Sequence, residues 1–187
     1  RAPRALMVRA TTRLQSGDGK GAVADLKAIL GQGLDGPGLQ RLMARATRVT
    51  GDIAGAITHL QKSLAQDPTQ GSLYHALISL LDSENREEEA FRWRARAVAI
   101  DQGNLGLVKG LLSGAKRFDA THEDVLRWGE LGNHIAPFSS EHHALFAREL
   151  ARLKDAKRAR FEAESALMLD PANSVAKTIL EGESPSP

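Results

Sequence analysis

Gly17-Asp18-x-x-Gly21-Ala22-Val23-x-x-Leu26-x-x-x-Leu30 and Gly51-Asp52-x-x-Gly55-Ala56-Ile57-x-x-Leu60-x-x-x-Leu64 are one pattern written twice, 34 positions apart. Six identities and one Val/Ile exchange at a fixed offset define an internal repeat. Self-similarity at a period of about 20–50 residues marks a stacked solenoid. A solenoid moves the functional question from reaction chemistry towards the surface that it offers to a partner.

Composition agrees with helices. The 187 residues leave room for about five such units. Ala, Leu and Arg dominate, aromatics make up 4%, and few segments alternate like strands. The expected fold class is all-α. Without cysteine, disulfides and thiolate metal sites are excluded. No apolar run approaches the ~20 residues of a transmembrane helix. A chain that starts at Arg1 without Met is expected to be an excised domain or a processed product. The net charge of +2 is unevenly spread: residues 1–50 carry nine Arg or Lys against three Asp, whereas 51–104 carry five basic against eight acidic residues. A solvated Arg-rich helix surface accounts for the basic end, and an acidic partner is the functional alternative.

Carrying the period along the chain gives units at 3–36, 37–70 and 71–104, each a pair of helices around a Gly- or Asn-containing turn. In the second unit the helices are expected at Leu39–Thr50 and Ile53–Gln66, with Asp67-Pro68 closing it. A further unit fits 140–173 and ends at Asp170-Pro171. The stretch 105–139 must then be a degenerate unit with one inserted residue. Its second helix has Asp124 where the other units place Ala22, Ala56, Ala90 and Ala159, and Leu112 is bulky. Thr121-His122-Glu123-Asp124 reads as an N-cap and a negatively charged first turn. Gly106, Gly110 and Gly114 share one helix face; a short, frayed helix is expected there, with tight packing as the alternative. Ser174–Leu180 is expected to form a capping helix over the open end, within a cap at 174–181. The solenoid thus occupies 1–182, and 183–187 is expected to be a disordered tail.

The 34-residue length, paired helices, Met43-Ala44 and Phe146-Ala147, the small residues Ala56, Ala90 and Ala97, the turn glycines Gly17 and Gly51, Tyr74, and the closing Pro68 and Pro171 together resemble the tetratricopeptide (TPR) family. The resemblance covers about residues 3–173. It implies a right-handed superhelical solenoid whose first helices line a concave groove. Carried over position by position, the groove residues are Arg4, Met7 and Thr11; Arg41, Arg45 and Arg48; Ser72, His75, Ser79 and Asp82; and Glu141, Arg148 and Arg152. Of these, Arg4, Arg41, Arg45, Arg48, His75, Arg148 and Arg152 are the expected partner-binding set. Arg41, Arg45 and Arg48 also follow i, i+4, i+7 spacing, so they make one stripe suited to carboxylates. Met7, Thr11 and Leu42 stand where the carboxylate-clamp members of the family would need Lys and Asn.

Other motifs point to no chemistry. Gly31-Gln-Gly33-Leu-Asp-Gly36 matches a dinucleotide fingerprint in letters, yet it follows a helix instead of a strand. Gly19-Lys20-Gly21 lacks the rest of a phosphate loop. The six His residues form no zinc-protease spacing, and His142 and His143 point about 100° apart on a helix. Glu87-Glu88-Glu89 reads as a solvated helix start, and Trp93 and Trp128 as packing between units. No catalytic residue, cofactor or metal is expected. The expected function is a non-catalytic scaffold that binds a protein or acidic peptide, of the kind used in bacterial envelope, secretion, pilus or polysaccharide assembly, in cytoplasm or periplasm. The alternative is a regulatory or substrate-recruiting segment of a larger glycosyltransferase, sulfotransferase or hydroxylase. Nucleic acid is not expected, because the N-terminal third has no aromatic for base stacking.

Overall fold

One backbone event recurs in every helix pair. Gly17, Gly51, Asn85, Asp119 and Lys154 take positive φ, between 51° and 83°. In each case the next residue donates its N–H back to a carbonyl five residues earlier: Asp18 to Arg13, Asp52 to Thr47, Arg86 to Leu81 and Asp155 to Leu150, all in the last turn of the preceding helix, and Ala120 to Ala115, just past the end of its helix, at 2.8–3.0 Å. This is the Schellman closure, and it favours glycine because an L side chain crowds the backbone in that conformation. The computed structural model describes residues 2–182. Among them are eleven helices and no strands: α1 (Pro3–Gln15), α2 (Gly19–Leu30), α3 (Pro37–Val49), α4 (Ile53–Gln66), α5 (Gly71–Ser83), α6 (Glu87–Ile100), α7 (Leu105–Gly114), α8 (His122–Ile135), α9 (Ser140–Arg152), α10 (Ala156–Leu169) and α11 (Ser174–Leu180). The tail expected at 183–187 lies outside the described residues.

Each letter of the repeated pattern has a physical task. After the positive-φ glycine, Asp18 and Asp52 accept the N–H of Gly21 and Gly55 at 2.8 Å, capping α2 and α4. A Cβ on Gly21 or Gly55 would lie 2.1 or 2.2 Å from that carboxylate, so the second glycine of the pattern makes room for the cap. Ala22 and Ala56 are fully buried where paired helices cross, and Leu26 and Leu60 fill the core beside them.

The inserted residue falls in the turn between α7 and α8. At the α1–α2, α3–α4 and α9–α10 turns a single aspartate (Asp18, Asp52, Asp155) both ends one helix and caps the next, and at α5–α6 the single residue is Arg86. At α7–α8, Ala120 closes α7 and Thr121 caps α8, in a reciprocal capping box with Asp124. The insertion corrects the expected alignment: the buried position matching Ala159 is Val125, and Asp124 belongs to the cap. At α7 the alternative of tight packing has structural support. The helix is short, but a Cβ at Gly114 would lie 2.9 Å from the Phe91 ring, and one at Gly110 would lie 3.1 Å from the Arg94 side chain. These glycines permit close packing. In the second pair the first helix starts at Pro37 instead of Leu39, since proline is well suited to the first helical position.

Two compact units emerge, one up to Ala90 and one from Phe91. In the first, Leu6, Ala10 and Leu14 of α1 pack with Leu26 and Ile29 of α2 and with Leu39, Met43 and Ala46 of α3. In the second, an alanine-rich cluster joins Ala144 and Ala147 to Ala163, Ala166 and Ala176, and α11 covers it with Val175 and Ile179. Asn173 caps α11 by accepting the Ala176 N–H.

Candidate functional site

Helix α3 is the most segregated of the first unit. Leu39, Met43, Ala44, Ala46 and Thr47 turn inward, while Arg41, Arg45 and Arg48 stand exposed along the opposite edge. These arginines form one wall of a cavity of about 280 Å3. Ala44 and Leu60 lie beneath them, and Leu73, Ala76, Ser79 and Leu80 of α5 make the other wall. None of the three guanidinium groups makes a hydrogen bond or ion pair among the described residues. The result is an apolar trough edged on one side by cations that no carboxylate among the described residues pairs with.

The other expected groove residues are placed differently. Arg4 is exposed on α1 and does not line the trough. His75 is half-buried on α5 beside Ala76, also outside the lining, whereas Ser79 lies in it. Thr11 turns its hydroxyl back to the Met7 carbonyl at 2.9 Å. In the second unit, Arg148 and Arg152 both donate to Glu149, at 3.1 and 2.9 Å. Glu149 is only 2% exposed, so these two cations are engaged inside their own helix. The structure therefore gathers Arg41, Arg45, Arg48 and Ser79 into one cavity. The α5 wall, Leu73 with Leu80, was not singled out from the sequence, and Leu60 was read only as a repeat position; the seven-residue spacing of Leu73 and Leu80 was the signal for that wall.

Several polar groups hold the scaffold in place. Asp35, inside the glycine-rich connection 31–36, accepts from Gln40 at 2.7 Å, from the Gly36 N–H and from Gln66. The Gln40 hydrogen bond is the main reason its carboxyl is held below the usual range. Gln40 also meets His59 Nδ1 at 2.7 Å, so the connection is tied to both α3 and α4. Arg9 and Arg13 converge on buried Asp25. His143 lies between Glu162 at 2.6 Å and the Pro137 carbonyl at 3.0 Å. His142, wholly buried, meets the Gly129 carbonyl at 3.0 Å through Nε2, and burial pushes its pKa below the usual imidazole value. Trp128 is buried edge-on against Phe91, and the Arg96 guanidinium covers Trp93 at 4.6 Å. Among the described residues, no three metal-ligating side chains cluster, and no helix is long and apolar enough to cross a membrane.

The helix pairs, their repeated closures and the arrangement of small and large residues constitute a TPR-type fold. Solved structures agree. MamA AMB-1 superposes with a TM-score of 0.59 at 15% identity, over 95% of this chain and 97% of that one. YrrB, a TPR protein with an unusual peptide-binding site, gives 0.58 at 13% identity, over 94% and 90%. A MamA from Desulfovibrio magneticus RS-1 gives 0.53 at 17% identity, over 92% and 97%. No protein-family model and no curated protein matches the chain by sequence.

Proposed function

We propose that this chain is a non-catalytic interaction scaffold that receives an acidic peptide segment in the trough between α3 and α5. The observation that carries this reading is the set of three unpaired guanidinium groups, Arg41, Arg45 and Arg48, along one edge of an apolar cavity. Arginine presents a planar fork to carboxylates, and such charge-assisted pairs strengthen where water is partly excluded. The leucines below offer burial to one apolar side chain of the same peptide, which supplies affinity while the arginines fix sign and register. The peptide-binding site of YrrB supports a peptide as the class of ligand.

The test is fluorescence anisotropy with labelled peptides that place Glu residues around a central Leu, each compared with its Gln counterpart. Acidic peptides should bind the full chain and the Gln versions should bind poorly. Reversing Arg41 and Arg45 to Glu should weaken binding by about 2 kcal/mol, roughly thirtyfold, with helicity intact by circular dichroism. Equal binding by the reversed variant would remove the trough from consideration.

A further inference from the structure

The repeat supplies an internal control for the outer face of the second helix in each pair. One outer position is Ala24, Thr58, Arg92 and Arg127 in the first four pairs and Phe161 in the last. The position seven residues further on is Gly31, Ala65, Ala99 and His134, then Met168. All of these sites are exposed. Only α10 fills them with large apolar side chains, and these remain in the open: Phe161 is 66% exposed and Met168 is 86% exposed. Seven residues are nearly two helical turns, so the two side chains stand on one face, about 10 Å apart along the axis.

A recess lies at one end of this face. Phe161 and buried Phe146 border a slot of about 380 Å3 between α8 and α10, with Lys157, Arg158 and Glu130 at its margin. Glycine on α8 lets the Phe146 ring reach this position at the slot's border: a Cβ on Gly129 would lie 2.2 Å from that ring. At the other end of the face, Met168 projects. Along α10 itself the exposed charge follows the same polarity: Lys157 and Arg158, the latter 3.8 Å from Asp155, lie beside the slot and Asp170 lies beyond Met168, while Glu162 in the slot's wall is engaged by His143 and Asn133. A face with a recess and cations at one end, and a projection and an anion at the other, is complementary to itself when turned through 180°. That is the requirement for an isologous two-fold contact.

We infer that two copies of this chain associate through antiparallel α10 helices. Met168 of each copy enters the slot beside the other copy's Phe161, and Lys157 and Arg158 face the other copy's Asp170. Phe161 and Met168 lose their exposure to water in the process, which drives the association. The charges at the two ends set the antiparallel direction.

Sedimentation equilibrium of the full chain tests the assignment. The mass should rise with concentration from 20.2 kDa towards twice that value. Met168→Glu should hold it at the single-chain value with unchanged helicity; Phe161→Ala serves as a second variant if the first loses helix content. Lys157→Glu with Arg158→Glu, and separately Asp170→Lys, should each weaken self-association, since like charges then meet at both ends. Mixing these two charge variants restores opposite signs at both ends, so the doubled mass should return in the mixture. A single-chain mass for the unmodified protein up to about 1 mM overturns the proposal. Undiminished association of Met168→Glu, or failure of the mixture to recover, overturns it equally.

Discussion

Arg45 on α3 and Arg148 on α9 occupy the same repeat position, each just before a buried residue, and they meet opposite circumstances. After Arg45 comes Ala46, which is sealed into the core of the first unit. After Arg148 comes Glu149, equally buried, whose carboxylate takes both Arg148 and Arg152. The same cation at the same place is therefore available for an external carboxylate in one unit and engaged internally in the other. In a repeat fold, the charge that a surface presents depends on the residue turned inward next to it as much as on the exposed side chain. The units also differ in how they fill the crossing of paired helices. Leu60 fills it in the first and floors the trough, whereas Gly129 opens it in the second so that the Phe146 ring can enter.

The largest effect should come from disturbing the tight crossing of the second unit. A Cβ on Gly132 would lie 2.0 Å from the His142 ring, which is buried and hydrogen-bonded and has no room to retreat. Gly132→Ala should lower unfolding free energy by about 3 kcal/mol in urea titration. Ser63→Ala, the matching site of the first unit, removes a hydroxyl that donates to the Pro37 carbonyl and should cost only about 1 kcal/mol. A ratio near one between these costs would show that the crossings are not packed differently.

Glu149→Ala gives α9 the residue that α3 already carries. It breaks two charge-assisted hydrogen bonds, but the arginines retain access to water, so the expected loss is about 1–2 kcal/mol. Arg148 and Arg152 then become available, and weak acidic-peptide binding should appear in a chain whose trough carries Arg41→Glu and Arg45→Glu. Absence of any such binding would mean that an exposed arginine needs the apolar floor as well as its freedom.

The smallest effect is a shared response to pH. His142 and His59 both have pKa values lowered below that of an exposed imidazole, chiefly by burial. The unfolded chain therefore takes up protons first, and stability present above about pH 6.5 is lost as pH falls below that value. Urea midpoints measured from pH 7.5 to 5 should decline. His142→Phe should flatten the slope more than His59→Phe, because His142 is wholly buried while His59 is only partly so.

Much of the fold was legible because its rules are local. Gly17 and Gly51 mark the positive-φ closure, Asp18 and Asp52 the cap, and Gly21 and Gly55 the room for that cap, all within five residues. The Arg41, Arg45 and Arg48 stripe was legible for the same reason, being a matter of helical spacing alone. The engagement of Arg148 and Arg152 was not, because a Glu between two arginines looks like any solvated helix surface until its own burial is known. The trough floor depends on Leu60 reaching between α3 and α5, which no spacing within one helix reports. The position of the insertion was hidden because Asp119 continues the left-handed series in register, and Ala120 and Thr121 divide a task that one residue performs in the other pairs, an aspartate in three of them.

That extra residue at the α7–α8 turn bears on how such a chain tolerates length changes. Within each unit the helices pack against partners one or two places away in the chain. An added residue in a turn therefore renumbers everything downstream without moving any downstream residue away from its partners. A sheet paired across long sequence distances would instead lose its register at every strand beyond the change. Here the closure at Lys154 and the caps at Asp155 and Asn173 re-form one count later. Insertions in turns of this kind offer a route by which one unit can diverge in surface and spacing while its neighbours keep theirs.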